Sequence, residues 1–588
     1  MSIKAWASRV LIGGLFAATL AGCGGFDTHG TSTTASNSSG EGGTGVGGAG
    51  GTGGAGGTGG VGGTGGVGGT GGAGGQPMWN LDALLEGLEE ASRHDYVANG
   101  DGGLTHTTYW TMSQTSPEFM NLPLEEQDKV KRIQASATAL ASQLIQPGAE
   151  IAGTEVVGTL VQGAMGERRQ RIVLKLPAVW NGKLVVAGTP ATRNEFASEV
   201  VLASWLVAEG YAFISGNKGM PNNTASLFEG THPTQHWGEM MIDLGLWSRA
   251  RIEEATSQPI VYVYAAGLSN GGYQVRRGLE LDHLRVIGGA PRLFAGGLDW
   301  AGVYWPDERV LDTDQDGAVT PAEFAAANHV VSTCERAALA MGWAYDPATL
   351  TTPAAYLETP PYSAAQSAMA DAGFSAPSAV LWGAYNTLYD ALKTSQPQYQ
   401  GVGYWNLTAY IYRADLFGHT MADSDAYSSY VSQPDQSPPF YDYLAGAVDG
   451  GWTQESVTWA LKNANTGEFS APLITVHGDA DALVGLVANG EGYHSAVQAY
   501  GEPTLHRLYV IPGGPHVDSN GDGLLDYDFD GQFGEEGAAD QMTPMQGYVR
   551  RAFGYLNDWV EAAVLPPDSK TVVNDPTNDV TDPTQINF

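Results

Sequence analysis

The chain has 588 residues, of which 28 are basic and 63 acidic, for a net charge of −35. So acidic a surface repels a phosphate backbone, which excludes nucleic-acid binding through a basic face. Two cysteines, Cys23 and Cys334, exclude a disulfide-stapled scaffold and a cysteine-ligated zinc site, while 43% hydrophobic and 10% aromatic residues supply a large core.

The chain opens with Lys4 and Arg9, an apolar run from Val10 to Leu20, and then Leu20-Ala21-Gly22-Cys23. The run is shorter than the ~20 residues that cross a bilayer, so it reads as a signal segment over residues 1–23. Leu-Ala-Gly-Cys resembles a bacterial lipobox. That resemblance implies acylation at Cys23, which becomes the new amino terminus. Gly24 follows in place of the aspartate tied to inner-membrane retention, so the resemblance implies a lipoprotein of the outer membrane or cell surface. From Gly40 to Gly75, 24 of 36 residues are glycine, largely as a Gly-Gly-X repeat. No side chain there can offset the ordering entropy, and proline is absent, so residues 24–75 read as a flexible tether reaching ~40 Å.

Residues 81–144 carry apolar positions at three- and four-residue spacing and predict helices. Strands are predicted at Arg171–Leu176, Lys183–Ala187, Tyr211–Ser215, Ile260–Tyr264 and Arg285–Gly288. Helices are predicted at Glu199–Glu209, Met240–Glu254 and Ser269–Leu281. This alternation implies an α/β class, a mostly parallel sheet covered by helices on both faces. It stops between residues 294 and 465, a stretch too long for a connecting loop. That stretch reads as an inserted, mainly helical lid with Trp300, Tyr304, Trp305, Trp343, Trp382, Tyr385, Tyr404, Trp405 and Tyr410. Two more buried strands follow, at Leu473–Val476 and Arg507–Ile511.

The sharpest motif is Gly267-Leu268-Ser269-Asn270-Gly271-Gly272, between an apolar strand and a helix. A serine on such a turn points its hydroxyl out of the sheet, and small neighbours let the backbone fold that tightly. The helix amino terminus favours negative charge developing there. A serine at its free pKa needs a base, and the base needs an orienting carboxylate. Downstream, His477-Gly478-Asp479-Ala480-Asp481-Ala482-Leu483-Val484 and Pro512-Gly513-Gly514-Pro515-His516 each follow a predicted buried strand. The chain order Ser, Asp, His then gives Ser269 as nucleophile and His516 as base. The oxyanion donors expected are the Asn270 N–H and one from the turn Gly188-Thr189-Pro190-Ala191. Pro190 has no N–H, which leaves Thr189 or Gly188.

On these motifs the chain resembles the α/β-hydrolase superfamily from about Ile172 to Val560. The match to His-Gly-x-x-Asp-x-x-Val assigns the acid to Asp481, with Asp479 as the alternative. Pro177-x-x-Trp180-Asn181-Gly182-Lys183 resembles the tannase and feruloyl-esterase family. That family places cysteines beside the serine and histidine, where this chain has Leu268, Pro515 and Val517, so a polyphenol ester does not carry over as substrate. Ser-Asn-Gly-Gly is also similar to extracellular hydroxybutyrate-oligomer hydrolases. Prolyl-oligopeptidase-like peptidases share the serine and aspartate motifs, but residues 76–259 lack the blade repeats of their propeller.

Asp312-x-Asp314-x-Asp316-Gly317-Ala318-Val319-Thr320-x-x-Glu323 matches an EF-hand loop. Asp312, Asp314, Asp316, the Ala318 carbonyl, Thr320 and Glu323 would form an oxygen cage for calcium, with Gly317 making the turn and Val319 packed inward. Asp518-x-Asn520-x-Asp522-Gly523-Leu524-x-Asp526 repeats the first nine positions. Phe529 stands at the twelfth, so either Asp528 or Asp530 substitutes there or the site is incomplete. Asp518 lies two residues after His516, so a cation in that loop would order the catalytic base.

The sequence thus predicts a lipid-anchored serine esterase of the cell envelope, with structural calcium, no organic cofactor, and a small or oligomeric ester as substrate. Its parts are a helical segment and first half-core at 76–293, the insertion at 294–465 and a second half-core at 466–565. A tail at 566–588 closes the chain. The alternatives are a peptidase with the same triad and a catalytically silent calcium-binding surface protein.

Overall fold

A computed structural model describes residues 79–96, 103–136, 151–190, 193–219, 233–330, 332–333, 454–481, 484–517, 543–573 and 582–588. Cys23, the glycine tether, the second calcium loop and the lid aromatics from Trp343 to Tyr410 lie outside the described residues.

Ten strands form one sheet in the order β1-β2-β3-β5-β4-β6-β7-β8-β9-β10. They are β1 (Leu88–Tyr96), β2 (Gly153–Gln162), β3 (Arg168–Pro177), β4 (Lys183–Gly188), β5 (Ala212–Gly216), β6 (Tyr262–Leu268), β7 (Gly296–Trp300), β8 (Leu473–Gly478), β9 (His506–Ile511) and β10 (Lys570–Thr571). The pairs β1/β2, β2/β3 and β3/β5 are antiparallel. From β5 to β10 every pair is parallel. Strands buried on both faces need apolar side chains throughout, which is why the central ones read as continuous runs without alternation. The antiparallel lead-in and the crossover at β4 and β5 give the α/β-hydrolase fold.

One face of the sheet is covered by the carboxyl-terminal helix Gln546–Ala562. Its Val549, Ala552, Phe553 and Leu556 share a core with Tyr264, Leu298, Ile474 and Tyr509. Phe553 sets its ring edge-on to Trp205, Tyr211 and Tyr264, with centroids 5.4–5.5 Å away.

Several predicted elements are corrected. Leu88–Tyr96 is an edge strand, not helix, and residues 285–287 are the last turn of helix Asn270–Ile287, not a strand. The strand after that helix is β7, inside the stretch read as insertion, so the interruption begins after Trp300. Trp300, Tyr304 and Trp305, assigned to the insertion, are buried, and Trp300 ends β7 in the sheet. The carboxyl-terminal tail contributes β10 to the sheet.

The amino-terminal segment is tied to the sheet by a buried ionic network. His106 Nε2 lies 2.7 Å from Glu155, Lys129 Nζ lies 3.0 Å from Glu155 and 2.9 Å from Glu126, and Lys175 Nζ lies 2.6 Å from Glu199. Burial alone would raise Glu155, but His106, Lys129 and Lys175 hold its carboxyl well below the usual range. Burial pushes Glu199 up to about 7 against the pull of Lys175, and burial lowers His106 to about 4 despite Glu155. Glu199 therefore contributes stability below about 4.5 that is lost as pH rises towards about 7. His106 contributes stability above about 6.5 that is lost as pH falls towards about 4. The two slopes oppose each other between about 4.5 and 6.5. Glu199→Gln removes one of them, so the variant's Tm is expected to climb with pH more steeply than wild type over that window in thermal melts.

Candidate active site

Ser269 stands between the last residue of β6 and the first of α1 (Asn270–Ile287), with φ 61° and ψ −121°. A non-glycine residue with positive φ is strained by about 1–3 kcal/mol, and the surroundings must hold it there. They do so through backbone bonds: Ser269 N–H donates to Trp300 O at 2.9 Å, while its carbonyl accepts from Tyr273 N at 3.0 Å. The glycines around it permit the turn. A Cβ on Gly267 would overlap Gly271, one on Gly271 would overlap Gly188, and one on Gly272 would overlap Asp299 and Gly302, all closer than 3.0 Å.

The candidate acid and base, Asp481 and His516, follow the carboxyl ends of β8 and β9, two and three strands across from β6. His516 Nδ1–H donates to Asp481 Oδ2 at 2.6 Å, and Asp481 Oδ1 accepts from Val484 N–H at 2.8 Å. Asp481 is wholly buried and His516 nearly so. Asp479, the alternative acid, faces elsewhere. Its Oδ1 accepts from Gly513 N–H at 2.7 Å, and burial raises its carboxyl. Asp479 thus ties the β8 loop to the β9 loop, and a Cβ on Gly478 would overlap Gly514 at the same crossing. Among the described residues, the hydrogen bond of the His516 ring runs to Asp481, and none joins it to the Ser269 hydroxyl. Such bonds commonly tighten only when substrate is present.

Asn270 is the first residue of α1 and is buried. Thr189 is placed differently from the expectation. Its N–H donates to Gln274 Oε1 at 3.0 Å, its hydroxyl donates to Gly216 O, and its carbonyl accepts from Lys218 Nζ at 2.6 Å. An N–H already bonded to a side chain of α1 is not aimed at an oxyanion. Thr189 instead fixes the turn after β4 to α1. Gln274 and Lys218 were not singled out in the sequence, because neither belongs to a motif. Lys218 also sits over the Trp237 ring, 4.1 Å from its centroid.

The first calcium-type loop lies between helices α2 (Glu308–Leu311) and α3 (Pro321–Ala326). Carboxylate oxygens of Asp312, Asp314 and Glu323 lie within 4.8 Å of one another. Asp312 accepts from Gly317 N–H at 2.8 Å, Asp316 accepts from Ala318 N–H at 2.9 Å, and Gly317 turns with φ 89°. Hydrogen bonds from Thr320 and Thr313 hold Glu323 down at about 2, so it is ionised. An all-oxygen donor set of this kind fits calcium. Val319 is buried, and its carbonyl accepts from Gln454 Nε2 at 3.0 Å on α4 (Gln454–Lys462). Donor atoms of His106, Glu155 and Glu199 also converge, but the Lys175 ammonium lies 2.6 Å from Glu199 and 3.5 Å from Glu155. That group already carries its compensating cation.

No protein-family model and no curated protein matches the chain. Solved structures similar to it include feruloyl esterase B from Aspergillus oryzae, at 13% identity over 71% of this chain and 83% of that one, with a TM-score of 0.38. Tannin acyl hydrolase from Aspergillus niger is similar at 11% identity over 83% and 88%, with a TM-score of 0.40. The rice cell wall degrading esterase LipA from Xanthomonas oryzae is similar at 15% identity over 63% and 85%, with a TM-score of 0.32.

Proposed function

We propose that the protein is a serine hydrolase of carboxylic esters. The observation that carries this reading is the 2.6 Å contact of His516 with Asp481 at neighbouring strand ends, on the sheet whose elbow presents Ser269. Ser269 Oγ attacks the ester carbonyl, and its proton passes to His516 Nε2. Asp481 keeps Nδ1 protonated and steadies the imidazolium. Collapse of the tetrahedral adduct expels the alcohol, which takes the proton from His516. Water, deprotonated by the same imidazole, then releases the acid and restores Ser269. The Asn270 N–H at the start of α1 is the oxyanion donor of this reading, and the partner donor comes from the β4 turn outside Thr189.

Calcium held by Asp312, Asp314, Asp316, Ala318, Thr320 and Glu323 would be structural. Its loop reaches α4 through Val319, so the ion would brace the base of the insertion. A second ion at Asp518, Asn520, Asp522, Leu524 and Asp526 would order the chain beyond His516. Acylation at Cys23 would hold the enzyme at the cell envelope on its glycine tether.

The test is mass-resolved fluorophosphonate labelling of the full chain, with turnover of a short-chain p-nitrophenyl ester, in calcium and after chelation. Labelling at Ser269 with turnover is expected, both falling on chelation and returning with calcium. Labelling without ester turnover would favour a peptidase. No labelling of folded, calcium-loaded protein would leave a catalytically silent binding protein.

A further inference from the structure

His477 is a buried histidine that the proposed chemistry does not use, yet it lies against the acid. It is the penultimate residue of β8, wholly buried. Its Nε2 lies 2.6 Å from Val484 O and 3.5 Å from Asp481 Oδ2. A carbonyl only accepts, so Nε2 carries the hydrogen and Nδ1 is bare. Among the described residues Nδ1 has no hydrogen-bond partner, and it faces the backbone of Gly490, where a Cβ would come within 2.8 Å of it. The Val484 backbone is thus held on both sides of its Cα. Its carbonyl is held by His477, and its N–H is held by Asp481 Oδ1 at 2.8 Å.

We infer that His477 is a positioning residue for the catalytic acid: through Val484 it fixes the Asp481 carboxylate so that Oδ2 points at His516. The inference rests on the reading of Ser269, Asp481 and His516 as the catalytic groups. The two carboxylate oxygens then have separate duties, Oδ1 bonded to the loop and Oδ2 bonded to the base. His477 must also stay neutral, because an imidazolium 3.5 Å from Oδ2 would compete with His516 for it. Burial lowers its pKa first and Arg276 adds to that, while Asp481, the Val484 carbonyl and Asp299 pull the other way.

Three variants test the assignment. The side-chain nitrogen of glutamine reaches about as far as Nε2, that of asparagine about as far as Nδ1, and phenylalanine offers no donor. His477→Phe and His477→Asn are expected to lower kcat about ten- to a hundredfold with KM within about twofold. That loss is smaller than the ~10⁴-fold expected when the acid itself is neutralised. The downfield Nδ1–H resonance of His516 should weaken in both and persist in His477→Gln, which should recover most of the turnover. An unchanged His516 resonance in folded His477→Phe would overturn the inference. So would equal losses in His477→Gln and His477→Phe. The resonance needs no turnover, so it decides the role of His477 even if the wild-type chain hydrolyses no ester. That last result would count against the triad reading instead.

Discussion

Ser269→Ala is expected to lower ester turnover by roughly 10⁴–10⁶-fold and to abolish fluorophosphonate labelling, with the fold unchanged. Alanine removes the attacking oxygen and nothing else of consequence, because the Ser269 backbone, not its side chain, makes the bonds to Trp300 and Tyr273. Ser269→Gly should be equally inactive but more stable, since glycine adopts φ 61° without the strain a Cβ brings there. A raised Tm with lost turnover would identify Ser269 as a site where stability is sacrificed for reactivity. A stabilised variant that kept its turnover would place the nucleophile elsewhere. Circular dichroism, melting curves and single-turnover assays on the two variants give the answer.

Asp481→Asn is expected to cost about 10⁴-fold in kcat with KM little changed, whereas Asp479→Asn should stay within a few fold. Asparagine at 481 is isosteric, but its amide cannot both accept from Val484 N–H at one end and act as a carboxylate to His516 at the other. If the amide nitrogen faces His516 it forces the wrong tautomer, leaving Nε2 protonated and useless as a base. Asp479 Oδ1 accepts from Gly513 N–H, a bond that an asparagine oxygen can also accept. The contrast separates two carboxylates two residues apart in the chain. Comparable losses at both positions would show that the crossing of the β8 and β9 loops, and not the charge at His516, limits the rate.

The candidate site's local framework was legible because it is built from neighbouring residues. A strand, a glycine-flanked serine and a helix occupy Tyr262–Ile287 in one unbroken run, and Asp481 and His516 each follow an apolar strand. What escaped depends on partners distant in sequence. Leu88–Tyr96 is a polar edge strand with little buried surface and no alternation, made a strand by pairing with β2. The segment Gly296–Trp300 is short and glycine-rich, and its glycines leave room for Leu279, Val275, Leu473 and Leu556 to close over it. Arg285–Ile287 has β-branched residues yet continues a helix already under way. Thr189 was misassigned because chain order placed it in the right turn, while the direction of its N–H is set by Gln274, 85 residues later. His477 carried a motif signal, but its use of Nε2 on Val484 emerges only from the folded loop.

The insertion leaves and rejoins the core at a single point. Pro306 and Asn465 are bridged, with the Asn465 N–H bonded to Trp305 O at 2.7 Å, and Arg309 reaches Thr466 O at 2.7 Å. An excursion whose ends already meet works as a cassette. Closing a shorter chain between the same two posts costs only a logarithm of its length, so the sheet's register does not depend on what is threaded there. A lineage could therefore exchange, lengthen or delete the whole segment while the strands that carry Ser269, Asp481 and His516 kept their alignment. The same doorway offers engineers a place to graft a foreign module.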